Sequence, residues 1–170
     1  LFENVRKQGA LNLDGSSWAE VHDNASLDFS SGMTLEAWFQ IEANSFGRHV
    51  LGKWNFPANK SEYLIYWNGT VNKIECYFGN GGAAQSANVS VTPTGQWVHF
   101  VGTTDGSTIT PYLNGVAGTT AAQTQPLGNS DINLKIGTDD TNTGAQYRMN
   151  TPIAQPRIYN RALSAEEIQR

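Results

Sequence analysis

Residues 96–115 read Gln-Trp-Val-His-Phe-Val-Gly-Thr-Thr-Asp-Gly-Ser-Thr-Ile-Thr-Pro-Tyr-Leu-Asn-Gly, and this stretch decides the fold class. Asp105-Gly106 and Asn114-Gly115 are dipeptides that tolerate the positive φ angles of tight hairpin turns. Between and before them lie two short runs rich in β-branched and aromatic residues, Gln96–Thr103 and Thr108–Leu113, which the turns fold into an antiparallel hairpin. Working outward, Asn68-Gly69 joins Glu62–Trp67 to Lys73–Phe78 in the same way. Further blocks of alternating character are Ala10–Leu13, Trp18–His22, Met33–Ile41, His49–Lys53, Ala87–Val91, Asn133–Ile136 and Ile153–Tyr159. No strand-helix-strand rhythm interrupts them. The fold class is therefore all-β, a two-sheet antiparallel sandwich. One helix start stands at the C-terminus, where Ser164 precedes Ala165-Glu166-Glu167 with the spacing of a capping box.

Composition agrees with this reading and excludes several functions. The chain has 170 residues, 39% hydrophobic and only 15% charged, a size that suits one domain over 1–170 with residues 1–8 as a leading segment. A formal net charge of -4 with no Lys/Arg cluster argues against nucleic acid as a partner. No run of about 20 apolar residues is present to insert into a membrane. Cys76 is the single cysteine, so neither an internal disulfide nor a cysteine zinc site can form. The Gly79-Asn80-Gly81-Gly82 run has no helix behind it and reads as a loop, not a phosphate cradle.

Five segments in order resemble the laminin-G-like members of the concanavalin-A-like superfamily: Ala10-Leu-Asn-Leu-Asp-Gly15, Met33-Thr-Leu-Glu-Ala-Trp-Phe39, Gly95-Gln-Trp-Val-His-Phe-Val-Gly-Thr-Thr-Asp-Gly106, Tyr112-Leu-Asn-Gly115 and Arg157-Ile-Tyr-Asn-Arg-Ala-Leu-Ser164. The resemblance implies a jelly roll that holds ligands on one sheet face or at its rim loops. It implies a non-catalytic carbohydrate-binding or adhesion module acting outside the cell. The alternative is a structural, decoration or receptor-contact domain of a bacteriophage virion or cell-surface protein, working through protein contacts or self-association. Ala154 and Gln155 stand where many members carry an acidic pair, which weakens any calcium site there.

Catalysis has little support in the residue pattern. Hydrolases on this fold need paired carboxylates, commonly Glu-x-Asp-x-x-Glu, because one group donates a proton while the other attacks. Glu36, Glu42, Glu62 and Glu75 are scattered singly. Lyases of the fold use His, Tyr, Gln and Arg on one sheet, a set that His99, Tyr77 and Arg148 imitate in part, but His99 belongs to the Trp97-Val-His99 signature and reads as structural. Not an enzyme is the expectation.

A sugar ring offers an apolar face to Trp or Tyr and hydroxyls to amides and Arg, so aromatics outside the core mark the ligand. Trp38, Phe39 and Trp97 are assigned to packing. Ile74, Cys76 and Phe78 share an inward face, leaving Glu75 and Tyr77 outward. The ligand-binding candidates are Trp54, Asn55 and Phe56 in a loop, Tyr66 and Trp67 near a hairpin tip, Tyr77, and Tyr147 with Arg148. Calcium is the one cofactor left open, with Asp14, Asp139 and Asp140 as turn carboxylates that would converge on it.

Overall fold

The computed structural model describes residues 9–43, 46–55, 57–140 and 147–169. The expected leading segment 1–8 and the candidate Phe56 lie outside these residues. Strands run in the order β1 (Ala10–Leu11), β2 (Ala19–Val21), β3 (Met33–Gln40), β4 (Gly47–Asn55), β5 (Lys60–Asn68), β6 (Lys73–Gly81) and β7 (Ala84–Ser90). They continue as β8 (Trp97–Thr104), β9 (Thr108–Leu113), β10 (Val116–Ala117), β11 (Ala121–Ala122), β12 (Leu134–Ile136) and β13 (Ile153–Tyr159), and a one-turn helix α1 (Ala165–Ile168) closes the chain. Two antiparallel sheets form a sandwich, one ordered β1-β13-β3-β8-β9-β10 with β11 also on β9, the other β2-β12-β4-β5-β6-β7. The all-β sandwich read from the sequence is the fold observed.

Period-two alternation builds each layer. Leu35, Ala37 and Phe39 of β3 and Phe100 of β8 face Tyr63, Ile65 and Trp67 of β5 and Ile74, Cys76 and Phe78 of β6, all fully or almost fully buried between the sheets. The sheets come closest where Gly102 meets Cys76, because a Cβ on Gly102 would stand 2.4 Å from the Cys76 Cβ.

Both expected hairpins form, β5 with β6 and β8 with β9. Asn114 and Gly115 adopt φ of 51° and 80° and reverse β9 into β10 with Leu113 opposite Val116. The first hairpin reverses later than Asn68-Gly69, the dipeptide expected to turn it. Asn68 is still paired with Lys73, four residues form the loop, and the left-handed residue is Asn72 at φ 53°. Continued ladder pairing past Trp67 carries Asn68 into the strand, and the asparagine at the far end of the loop takes up the reversal. At the C-terminus Ser164 and Glu167 make the reciprocal capping box, and Arg161 grips Glu167 through two bonds at 2.7 and 2.8 Å.

A cation is sealed inside the fold. Lys53 of β4 is 0% exposed and its ammonium donates to Asp23 at 2.7 Å, Asp28 at 3.1 Å and the Ser130 carbonyl at 3.0 Å, with Glu62 at 3.2 Å.

Candidate functional site

The outward face of the seven-stranded sheet carries a groove of about 930 Å³. Three strands far apart in sequence build its floor. Alternation that sends Leu35, Ala37 and Phe39 inward sends Glu36 and Trp38 outward, and the same rule on β8 turns Trp97 and His99 out. Register then fixes the neighbours, with Trp38 opposite His99 and Glu36 opposite Arg157. Trp38 and Trp97 are thus half-buried groove residues, a correction to their assignment as packing; consecutive positions such as Trp38 and Phe39 cannot both reach the core of a flat strand.

The floor is a network around one carboxylate. Glu36 Oε1 accepts from His99 Nε2 and from an Arg157 guanidinium nitrogen, each at 3.0 Å, and Oε2 accepts from the Tyr159 hydroxyl at 2.9 Å. Burial pushes the Glu36 carboxyl up, but the bonds from His99 and Tyr159 and the charge of Arg157 outweigh it and hold the group below the usual carboxylate range. Against that ionised acceptor, His99 donates through Nε2, and its ring stacks on Trp38 at 4.4 Å with 18° between planes. Burial first, and then donation to Glu36, pushes the Tyr159 phenol up.

A bulge supplies a further polar group. The β13–β3 register shifts between Ala154 and Arg157, and Gln155 takes a left-handed φ of 50° there. Gln155 and Arg157 thereby come together, with an Arg157 nitrogen donating to the Gln155 Oε1 at 3.1 Å. Asn114, Val116, Leu163 and Ile168 complete the walls. The side chain of Asn114 accepts from the His99 backbone at 2.9 Å, tying the rim turn to the floor.

Most of the residues picked from the sequence meet on the other sheet. Trp54, Tyr77, Tyr66, His49 and Tyr147 form a row across the outward face of the six-stranded sheet, with successive ring centroids 5.2, 6.4, 5.2 and 5.8 Å apart. Arg148 lies near the end of the row, its guanidinium 4.9 Å from the Trp18 ring. Two expectations of exposure are corrected. Trp54 and Asn55 belong to β4 and not to a loop, and a register shift after Lys53 packs Trp54 against Tyr77 at 8% exposure. Trp67 is 1% exposed in the core, since it shares the inward parity of Tyr63 and Ile65. The row's polar ends are engaged as well. The Tyr77 hydroxyl donates to Glu75, burial pushes the Tyr66 phenol up to about 12, and Asn55 donates to the Asp140 carbonyl at 3.3 Å.

The catalytic trio imagined from sequence is divided, with His99 on one sheet and Tyr77 and Arg148 beside the other. The carboxylates expected to share a calcium ion are likewise engaged separately. Asp14 accepts from the backbone and hydroxyl groups of Ser16 and Ser17, Asp139 lies 3.2 Å from His49, and Asp140 lies 3.5 Å from Lys135. Among the described residues no group of three or more His, Cys, Asp or Glu is placed to hold a metal ion.

Architecture and groove together define a concanavalin-A-like sandwich with an open groove on one sheet. The chain belongs to the family described as the Concanavalin A-like lectin/glucanases superfamily, which it matches over residues 13–169. Among curated proteins none matches it. Its fold is similar to that of the binding domain of Paraclostridial Mosquitocidal Protein 1, at 16% identity and TM-score 0.74, covering 94% of this chain and 42% of that one. It is also similar to the receptor binding domain of botulinum neurotoxin mosaic serotype C/D, at 15% identity and TM-score 0.73, covering 95% of this chain and 41% of that one. A third is the binding domain of botulinum neurotoxin DC in complex with SialylT, at 17% identity and TM-score 0.67, covering 88% of this chain and 37% of that one. The chain spans about two fifths of the length of these structures.

Proposed function

We propose that this chain is a non-catalytic carbohydrate-binding module of an extracellular or surface-exposed protein, with the glycan seated in the groove of the seven-stranded sheet. One observation carries the reading: two half-buried tryptophans, Trp38 and Trp97, line a groove whose other groups, Arg157, Gln155, Asn114 and Tyr159, suit sugar hydroxyls. The neighbours named as binding domains, one of them in complex with SialylT, support it. So does the chemistry of the floor. Glu36 has three donors on its two oxygens and Glu167 is held by Arg161 and the helix cap, which leaves neither lining carboxylate disposed as a free acid or base.

A glycan array tests it, with Trp38→Ala and Trp97→Ala each expected to weaken the leading signal about tenfold or more and Tyr77→Ala to leave it unchanged. The opposite pattern moves the site to the aromatic row. Unsaturated products released from a polyuronate by the purified protein replace binding with lyase chemistry.

Protein contact is the second reading, favoured by Trp18 and Val21, 42% and 46% exposed at the edge strand β2. It requires an oligomer in light scattering that Trp18→Ser dissolves.

A further inference from the structure

The charge of the groove narrows the class of glycan it takes. Resting on the carbohydrate reading above, we infer that the groove binds a neutral oligosaccharide and discriminates against the same sugar carrying a carboxylate.

Arg157 is the cation of the groove floor, 47% exposed, and it is already neutralised by Glu36 at 3.0 Å. A sugar carboxylate docking on Arg157 comes within a few ångströms of Glu36 too. Attraction and repulsion then nearly cancel, while the carboxylate has still given up its hydration. At the rim Glu167 adds a second negative charge, balanced by Arg161 at 2.7 Å. Glu36, Glu167, Arg157 and Arg161 therefore sum to zero, and no unpaired cation among them waits for an anion. The chain's overall charge of -4 adds a further repulsion of anions at a distance.

Hydroxyls fare better in the same place. The amides of Asn114 and Gln155 donate and accept, and Arg157 has N–H groups beyond those it spends on Glu36, Gln155 and the Tyr159 oxygen. Such a set matches groups that both donate and accept. The indoles of Trp38 and Trp97 need only the apolar face of the ring. At about 930 Å³ the groove sits near the upper end of small-ligand sites, room for more than one pyranose.

The test pairs glucan, galactan and mannan tetrasaccharides with the same chains oxidised at C6 to uronates, and measures binding of both forms to the full chain by calorimetry. The neutral form of the preferred sugar is expected to bind about tenfold or more tightly than its uronate at low ionic strength, with the gap narrowing in 1 M salt. Glu36→Gln, which releases Arg157, is expected to shrink that gap about tenfold, and Arg157→Gln to leave the uronate no better bound than in the unsubstituted protein. Circular dichroism establishes that each variant is folded; the comparison on the unsubstituted protein decides the matter if one is not. Equal or tighter binding of uronates, still abolished by Trp38→Ala, overturns the charge inference and leaves the carbohydrate reading standing. Binding of neither form anywhere in the panel overturns that reading itself.

Discussion

Replacing Lys53 by Met removes the one ammonium that four oxygen groups share, and the structure sets the size of the consequence. Lys53 is 0% exposed, while side-chain exposures of its carboxylate partners are 32% for Asp23, 20% for Asp28 and 1% for Glu62. Two of the three can turn to water once the cation is gone. Glu62 cannot. Breaking a buried pair by deleting one partner costs about 3–5 kcal/mol, a large share of the roughly 5–15 kcal/mol that holds a domain folded. For a chain of this length that is a fall in Tm of about 6–20 °C.

The pH dependence has a definite sign. Burial pushes the Lys53 ammonium down, but the bonds to Asp23 and Asp28 and the charge of Glu62 prevail and raise it above its ordinary 10.5. A raised folded-state value means a stabilisation fully present below about pH 10.5 and lost as pH climbs through the folded value. Burial likewise raises the Glu62 carboxyl, against the bonds from Ser130 and the charge of Lys53. Removing Lys53 raises it further, so acidification to pH 5 returns part of the stability lost by the variant. Urea melts of both proteins at pH 5, 7 and 11 measure all three effects. A loss under about 1 kcal/mol at pH 7, with the same alkaline limb in both proteins, refutes the reasoning.

Two further outcomes follow from the core. Gly102→Ala forces a Cβ to within 2.4 Å of the Cys76 Cβ and is expected to cost about 1–3 kcal/mol in a urea melt; an unchanged midpoint contradicts the close approach of the sheets. Cys76 is fully buried and burial pushes its thiol up to about 12, so a thiol reagent at pH 8 is expected to label it only as fast as the protein unfolds, and rapid labelling of the native chain excludes that burial.

Strand content, two hairpins, the inward parity of Ile74, Cys76 and Phe78 and the cap of the last helix were legible in the sequence because each depends on residues within a few positions of one another. Local signals reached the edge of the site and stopped there. Loop aromatics were the reasonable guess for ligand contact, yet Trp54 continues a strand and packs on Tyr77, and Trp67 falls in the core. Parity along β3 alone would have turned Glu36 and Trp38 outward, and parity along β8 would have turned Trp97 and His99 outward with them.

That these four share a face with Arg157 and Tyr159 was decided only by tertiary structure. β13 lies between β1 and β3, more than a hundred residues from its neighbour in the chain, and a bulge at Gln155 aims its side chains. Alternation is a property of one strand's backbone and is written locally. Which strands lie side by side depends on the non-local pairing that buries both inner faces at once, and the groove exists only where that pairing brings segments 36–40, 97–101 and 155–159 together.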